Sequence, residues 1–372
     1  MDLLNHLLIG FENAVTWTNL LYCFVGVTLG TLVGVLPGMG PVATVAMLLP
    51  ITYALDPSTA LIMLAGIYYG AQYGGSTTAI LVNIPGEASA VVTCLDGHHL
   101  ALAGRAGAAL GIAAIGSFIA GCFATVVIAA FAEPLTQVAF QFGPREYFSL
   151  MVLGLVGAVV LASGSLLKAV GMILIGILLG CVGMDVNSGA LRYVFGIDEL
   201  MDGFDFVALS MGVYGFAEII RNLDVLGDRE AKPVPVGRVL PSKNDLKISA
   251  GPITRGTLIG SFLGILPGGG ALLSSFASYT LEKKLAGEKA NPPFGQGNIR
   301  GVAGPESANN AGAQTSFIPM LTLGIPSNAV MALMIGALML HDIAPGPQVM
   351  TNNPSLFWGP VSYTHLTLPT NR

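Results

Sequence analysis

The sequence predicts an all-α fold: a polytopic helical membrane protein with inverted repeats and two re-entrant, broken helical hairpins. Three observations support this prediction: an apolar composition, long windows without charged residues, and a glycine–proline motif that occurs twice. The predicted organisation has four segments. They are a first transmembrane repeat half (1–220), a basic cytoplasmic loop (221–255), a truncated second transmembrane repeat half (256–360) and a non-native tail (361–372).

The composition is that of a membrane protein. Of the 372 residues, 53% are hydrophobic and only 10% are charged, whereas soluble proteins have about 25% charged residues. The mean hydropathy is +0.72, and the apolar residues are spread along the whole chain, which is typical of several spans rather than one anchor. The net charge of −5 and the lack of a basic tract argue against a nucleic-acid partner.

Several windows without Asp, Glu, Lys or Arg reach the roughly 20 residues that cross the hydrocarbon core of a bilayer. The run from Asn13 to Leu55 contains none of these residues, and neither do residues 57–86, 107–132, 147–167 and 307–340. Orientation follows from lysine and arginine, which accumulate on the cytoplasmic side. The densest basic stretch runs from Arg221 to Arg255, so we expect this loop inside the cell.

An internal repeat interrupts apolar stretches at matched positions. GTLVGVLPGMG at 30–40 recurs as GSFLGILPGGG at 260–270, and LVNIPGEASAV at 81–91 resembles LTLGIPSNAV at 321–330. Proline removes a backbone donor, and glycine allows conformations that other residues avoid. Matched breaks of this kind are typical of secondary transporters.

Charge at the flanks of the second motif predicts a re-entrant hairpin. The window 256–281 lies between Arg255 and the pair Lys283 and Lys284, so we expect both of its ends on the cytoplasmic side. The first copy has no basic flank, and the predicted topology places Asp56 outside. The two hairpins would then enter the membrane from opposite faces, as an inverted repeat.

The broken segments could bind a carboxylate and its companion ion. The N-termini of half-helices expose amides that suit a carboxylate, and the C-termini expose carbonyls that suit a sodium ion. The alternative is a proline kink that serves packing alone. The break residues predicted as substrate- or ion-binding candidates are Pro37, Gly38, Gly40, Asn83, Pro85, Gly86, Pro267, Gly268, Gly270, Pro326 and Asn328.

Polar residues beside the breaks complete the candidate set. Glu87 and Glu306 are ionisable groups next to apolar stretches, where such groups are often functional; the alternative is a loop carboxylate at the interface. Hydroxyl and amide groups could be ligands or could form hydrogen bonds between helices. The further candidates are Gly75, Ser76, Thr77, Thr78, Asn309, Asn310, Thr315 and Ser316. We predict no catalytic residue, no cofactor, and no metal other than a coupling sodium ion.

Four longer stretches carry a family resemblance. They are GTLVGVLPGMGPVATVAMLLP, YYGAQYGGSTTAILVNIPGEASAVVTCLDGHHLALAGRAGAALGIAAIGSF, GPESANNAGAQTSFIPMLTLGIPSNAVMALMIGALML and HDIAPGPQ. Together they resemble the large membrane permease subunit of the tripartite tricarboxylate transporter family, over residues 10–360.

The resemblance implies a function, a location and partners. It implies a multi-pass protein of the bacterial inner membrane that imports citrate-like tricarboxylates or related carboxylates by symport. The driving force would be a gradient of Na+ or H+. The implied partners are a periplasmic solute-binding protein, which delivers the small-molecule carboxylate, and a small membrane subunit.

The end of the chain departs from the family pattern. After PSLFWG the family continues with further apolar helices, whereas this chain reads PVSYTHLTLPTNR and stops. We therefore expect a truncated second half and a tail that is not part of the native protein.

Two other functions compete with a permease. A membrane-embedded enzyme would need a nucleophile–base pair or metal ligands at membrane depth. The sequence has no HExxH or GxSG motif, so we do not expect an enzyme. A passive anion channel is the other alternative, because hairpin geometry alone does not distinguish a channel from a carrier.

Overall fold

The computed structural model describes most of the chain. The described residues are 12–13, 15–36, 40–139, 165–184, 190–201, 236–266, 270–287 and 290–359, with scattered positions between 141 and 156 and between 203 and 220. Within these ranges the regular secondary structure is helical apart from two short antiparallel strands, β1 (Gly183–Met184) and β2 (Leu191–Arg192). The all-α fold class is therefore confirmed.

The first group of helices is α1 (Trp17–Gly34), α2 (Pro41–Thr52) and α3 (Pro57–Val82). Proline occupies the first position of α2 and of α3. A backbone N–H at this position has no acceptor within the helix, so proline, which lacks this N–H, is tolerated there. Asp56 caps α3 by accepting a hydrogen bond of 3.1 Å from the backbone N–H of Ser58. The helix ends at Asn83, which has a left-handed backbone with φ of 57°.

Short helical turns lead from α3 into a long helix. They are Ala88–Ala90, Val91–Thr93, Cys94–His98 and Ala101–Arg105, and the last two are π-helical. The long helix α4 (Ala106–Ala139) and the exposed helix α5 (Leu166–Gly180) follow.

The second group of helices has a similar order. It comprises α6 (Lys243–Ile265), α7 (Gly270–Ala286), α8 (Arg300–Thr315), α9 (Phe317–Leu323), α10 (Ala329–Leu340) and α11 (Val349–Asn352). The helix α9 ends at Gly324, which has φ of 70°, so a left-handed residue ends this segment as Asn83 ends α3. In both groups an Ile-Pro pair follows that residue.

One segment differs from the prediction. Residues 243–255 were predicted to be part of the basic loop 221–255, but they form the first half of α6. The reason is a capping box: the Ser242 side chain accepts from the backbone N–H of Asp245, and the Asp245 carboxylate accepts from the N–H of Ser242. The charge-free window 307–340 is interrupted at the predicted break in 321–330, where Gly324 and Pro326 separate α9 from α10.

Glycines bring the backbones of two helix pairs into close contact. A Cβ atom on Gly30 of α1 would lie 2.3 Å from the carbonyl oxygen of Ile67 in α3, and one on Gly260 of α6 would lie 2.1 Å from that of Ala308 in α8. Further glycines repeat these contacts one turn away on each side: Gly26 and Gly34 on α1, and Gly256 and Gly264 on α6. Small residues at four-residue intervals are the usual means of close helix approach in membranes.

The helix directions relate the two groups. The residue numbers of the contacting positions increase in the same direction along α1 and α3, so these two helices are parallel. The same holds for α6 and α8. Between the groups, Tyr69 donates a hydrogen bond to Gln314 and Ser76 donates one to Glu306, so α3 and α8 are antiparallel. The helix pair of one group therefore runs opposite to the similar pair of the other.

The core has an apolar part and a polar part. The largest cluster of buried hydrophobic side chains is formed by α2, α3, α4, α9 and α10, with Phe357 and Trp358. The helix α8 is also buried from Gly301 to Thr315, although its sequence RGVAGPESANNAGAQT is rich in polar and small residues. It packs against α4, α6 and α7.

Among the described residues, two helical segments are long and apolar enough to cross a membrane by length and composition. They are Trp17–Gly34 and Ala101–Val138, and shorter apolar helices occur at Pro41–Thr52, Leu166–Gly180 and Ala329–Leu340. The prediction of a polytopic protein with inverted repeats extends beyond this finding and stays a prediction.

The close contact at Gly260 can be tested by adding one methyl group. We expect Gly260→Ala to lower the stability by about 1–3 kcal/mol, because the new Cβ would overlap the backbone of α8. Gly176→Ala on α5 is the matched control, since no atom of the described residues lies within 4 Å of its Cβ position. Thermal unfolding of the purified protein in detergent measures both. Equal unfolding temperatures for the two variants would contradict this packing.

The start of α6 should give a pH-dependent stability. Burial alone would raise the pKa of Asp245, but hydrogen bonds from Ser242 and Arg105 outweigh burial and hold this pKa below its ordinary value of 3.8. The stabilisation is therefore present at neutral pH and is lost as the pH falls through the folded-state pKa. We expect Asp245→Asn to lower the unfolding temperature at neutral pH, with a difference from the unmodified protein that shrinks below about pH 3.5. The exposed Glu199→Gln serves as control, and a pH-independent difference for Asp245→Asn would disprove the linkage.

Candidate functional site

A cavity of about 910 Å³ lies where the two groups of helices meet. The first group contributes residues 40–42 and 85–89, and the second contributes residues 270–272 and 324–330. These residues lie within, or directly after, the four sequence stretches that form the internal repeat. The cavity is thus formed by the helix breaks of both groups.

Three helix N-termini line this cavity. The helix α2 begins at Pro41, α7 at Gly270 and α10 at Ala329, and all three residues belong to the cavity wall. The first N–H groups of a helix lack intrahelical acceptors and carry partial positive charge. The cap of α2 is Gly40, which has no side chain to accept from these groups. The cavity wall therefore offers backbone donors that suit an anion.

A small number of polar side chains accompany these donors. Glu87 and Ser89 lie on the wall contributed by the first group, with the Ser89 hydroxyl donating to the Glu87 carboxylate. Ser327 and Asn328 lie on the opposite wall. The Asn328 amide oxygen caps α10 by accepting a hydrogen bond of 3.0 Å from the N–H of Met331.

The structure brings one part of the predicted site together. The predicted residues on the cavity wall are Gly40, Pro85, Gly86, Glu87, Gly270, Pro326 and Asn328. Gly75 lies directly behind this wall, because its carbonyl oxygen accepts a hydrogen bond of 3.3 Å from the N–H of Gly86. Asn83 ends α3 just before the wall. Pro37, Gly38, Pro267 and Gly268 lie outside the described residues.

The predicted hydroxyl residues serve mainly in helix contacts. Thr77 and Thr78 donate to carbonyl oxygens of their own helix α3. Thr315 and Ser316 donate to carbonyls of their own segment and also to those of Gly260 and Gly264 on α6, at 3.5 and 3.3 Å. Hydrogen bonds between helices were the alternative explanation for these hydroxyls, and this geometry fits it.

A second polar group forms around Glu306. This residue lies within α8 and is 1% exposed, so it is not a loop carboxylate. Its carboxylate accepts from the hydroxyl of Ser76 at 2.7 Å, from the hydroxyl of Thr93, and from the amide of Asn309 at 3.4 Å. Asn310 donates to the hydroxyl of Ser117 on α4 at 2.7 Å. This oxygen-rich group could hold a cation.

Sequence reasoning missed several members of these two groups. Ser89 and Ser327 on the cavity wall, and Thr93, Ser117 and Gln314 around α8, were not candidates. Thr93 bonds to Glu306 across 213 positions of sequence, and nothing local marks it as a partner. The available signal was the rarity of polar side chains in apolar stretches.

Asp96 was also missed, although it organises the approach to α8. It is fully buried, and one carboxylate oxygen accepts backbone hydrogen bonds from Gly295, Gly297 and Asn298 at 2.7–2.9 Å. Its other oxygen accepts from the hydroxyl of Tyr279 at 3.0 Å. Asp96 thereby fixes the segment that precedes α8, and with it the position of Glu306.

Two similar helix groups that meet at a cavity lined by helix N-termini are a feature of many membrane transport proteins. Comparison with known families identifies which one. The tripartite tricarboxylate transporter TctA family matches residues 20–366, and the chain belongs to this family. The resemblance inferred from the sequence is confirmed.

Two relatives from Agrobacterium vitis are similar to this chain. An uncharacterized 52.8 kDa protein in the TAR-I ttuC' 3' region is 59% identical over 359 residues, which cover 96% of this chain and 71% of the relative. An uncharacterized protein in the TAR-II ttuC' 3' region is 65% identical over 100 residues, which cover 27% of this chain and 40% of the relative. No solved structure matches the chain.

Removal of the Asp96 carboxylate should loosen the segment before α8. We expect Asp96→Ala to cost about 3 kcal/mol, because three backbone N–H groups lose their acceptor. Cleavage within residues 290–298 in limited proteolysis should become faster. The exposed Asp198→Ala is the control and should change stability by less than about 0.5 kcal/mol. Unchanged cleavage in Asp96→Ala would show that other contacts hold this segment.

Proposed function

We propose that this chain is the large permease subunit of a binding-protein-dependent secondary transporter. It imports citrate-like tricarboxylates or related carboxylates across the bacterial inner membrane, driven by an ion gradient. The observation that carries the proposal is the convergence of three helix N-termini, from both helix groups, on one cavity. Membership of the tricarboxylate transporter family supports the substrate class.

The cavity fits a small polyanion in size, and its wall also carries the carboxyl group of Glu87. Its volume of about 910 Å³ lies within the range of roughly 300–1,000 Å³ usual for small-molecule sites. Backbone N–H groups at helix N-termini bind carboxylates without fixed cationic side chains. The Asn328 amide nitrogen donates to the hydroxyl of Ser316 at 3.2 Å and has a second N–H that can donate to a carboxylate. The hydroxyls of Ser89 and Ser327 already donate to Glu87 and to the carbonyl oxygen of Ser316.

The helix directions support an inverted repeat. The antiparallel arrangement of α3 and α8 is expected if the two groups enter the membrane with opposite orientations. The helices α6 and α7 pack against each other, and an ion pair joins the middle of α6 to the last turn of α7: Arg255 donates to both oxygens of Glu282, at 2.6 and 2.8 Å. Basic residues at this ion pair agree with a hairpin that begins and ends on the cytoplasmic side.

The partners follow from the tripartite family. A periplasmic solute-binding protein would deliver the carboxylate to the open cavity, and a small membrane subunit would complete the transporter. The coupling ion, Na+ or H+, would supply the driving force. Each of these assignments is part of the proposal and rests on the family.

A charge introduced at the cap of α10 tests the carboxylate site. Asp and Asn cap helices about equally well, so Asn328→Asp keeps the cap and adds one negative charge to the cavity wall. We expect this variant to lose at least about tenfold in citrate affinity through charge repulsion. Asn328→Ser, which caps without a charge, should stay within about threefold of the original affinity. Equilibrium binding of radiolabelled citrate to the purified chain measures both.

Thr16→Asp is the matched control for this test. Thr16 caps α1, is exposed and does not line the cavity, so the same added charge should leave citrate affinity unchanged. An equal loss in Thr16→Asp and Asn328→Asp would indicate a general charge effect and count against the site. Full affinity in Asn328→Asp would place the carboxylate elsewhere.

A further inference from the structure

Glu306 is a buried carboxylate with neutral partners. It is 1% exposed, and its hydrogen-bond donors are Ser76, Thr93 and Asn309. In the described part of the chain, Lys and Arg side chains form ion pairs at Arg105–Asp245 and Arg255–Glu282, and Glu306 takes part in neither. A buried charge without a counter-charge costs several kcal/mol. The site therefore has a place for one positive charge.

Gln72 provides an independent sign of a ligand. Its side chain is fully buried, and among the described residues neither its amide oxygen nor its amide nitrogen has a hydrogen-bond partner. A buried amide without partners is rare in folded proteins, because its desolvation is not compensated. Gln72 thus needs a partner that protein side chains of this region do not supply.

The register of α3 and α8 directs Gln72 towards the Glu306 group. Tyr69 contacts Gln314 and Ser76 contacts Glu306, and Gln72 lies between Tyr69 and Ser76 on the same half of α3. Helical spacing places Tyr69, Gln72 and Ser76 on one face of α3, so Gln72 faces the part of α8 between Glu306 and Gln314.

The donor atoms of this group fit a hard monovalent cation. They are the carboxylate of Glu306, the hydroxyls of Ser76 and Thr93, and the side-chain amide oxygen of Gln72. All are oxygens, as hard cations prefer, and one carboxylate neutralises one positive charge. A proton on Glu306 would neutralise the charge but would leave the Gln72 amide oxygen without a partner, whereas a cation would bind this oxygen directly. The oxygen ligands therefore favour a metal cation.

We propose that Gln72, Ser76, Thr93 and Glu306 form a binding site for one sodium ion between α3 and α8. The role of this ion in coupling rests on the proposed transport function, but its binding does not. The site adjoins the carboxylate cavity through Ser76, because Gly75 beside it bonds to Gly86 of the cavity wall. An ion held by Ser76 would therefore stabilise the position of this wall.

Sodium-dependent thermal stability of the purified chain, without any carboxylate, tests the site. We compare NaCl, KCl and choline chloride at equal ionic strength. A ligand that binds only the folded state raises the unfolding temperature with its concentration. We expect a rise of about 3–5 °C with NaCl at saturating concentration and little effect of the other salts.

Variants of the site should remove or weaken this shift. Glu306→Gln should abolish it, and Thr93→Val, which removes only the hydroxyl, should raise the half-saturating sodium concentration about tenfold. Thr93→Val also keeps the test decisive if Glu306→Gln does not fold. Glu133→Gln is the control, because Glu133 is a partly buried carboxyl on α4 that is not among the proposed ligands, and it should keep the full shift.

The possible outcomes separate this site from the carboxylate cavity. No sodium effect in the unmodified chain, a full effect in both Glu306→Gln and Thr93→Val, or stabilisation that follows pH alone would overturn the sodium site. A sodium shift without citrate binding would support the ion site and contradict the proposed substrate. Citrate binding without a sodium shift would support the proposed substrate and contradict the ion site.

Discussion

The burial of a polar helix is the constraint on which the rest of this structure depends. Nearly every residue of α8 is buried, yet the helix carries a carboxylate, amides and hydroxyls. Such a helix can be stable only if its neighbours approach closely and satisfy its polar groups. Gly256, Gly260 and Gly264 allow the backbone of α6 to approach, and hydroxyls on α3 and α4 supply hydrogen bonds. The small residues around α8 are therefore needed because this polar helix is stable only when its neighbours pack closely against it.

The same packing positions the candidate cavity. Parallel contacts of α1 with α3 and of α6 with α8 fix where each group is interrupted, and the interruptions meet at the cavity. Helix breaks at buried positions leave backbone groups without partners, and such breaks are tolerated where they line a cavity. Function and stability are linked in this arrangement, because a ligand that satisfies these N–H groups also compensates for the interrupted helices.

Much of the fold and part of the site could be predicted from local sequence. Proline and glycine marked the breaks before α2, α7 and α10, and the matched stretches at 81–91 and 321–330 pointed to the cavity wall. The start of α6 was misplaced because the basic residues of 221–255 outweighed the Ser242 and Asp245 capping signal. Charge density indicates the side of the membrane, whereas a helix boundary depends on the few residues at its cap.

The sequence by itself determined the helical class, the family and the positions of the breaks, because these depend on composition and on residues close together in the chain. Only the tertiary structure decided which polar groups meet. Thr93 and Glu306 are brought together because the short turn Val91–Thr93 packs against α8, a contact that no local sequence pattern specifies. The structure likewise showed Asp96 to be an anchor and Gln72 to lack a partner among the described residues, since both facts depend on what packs around a side chain.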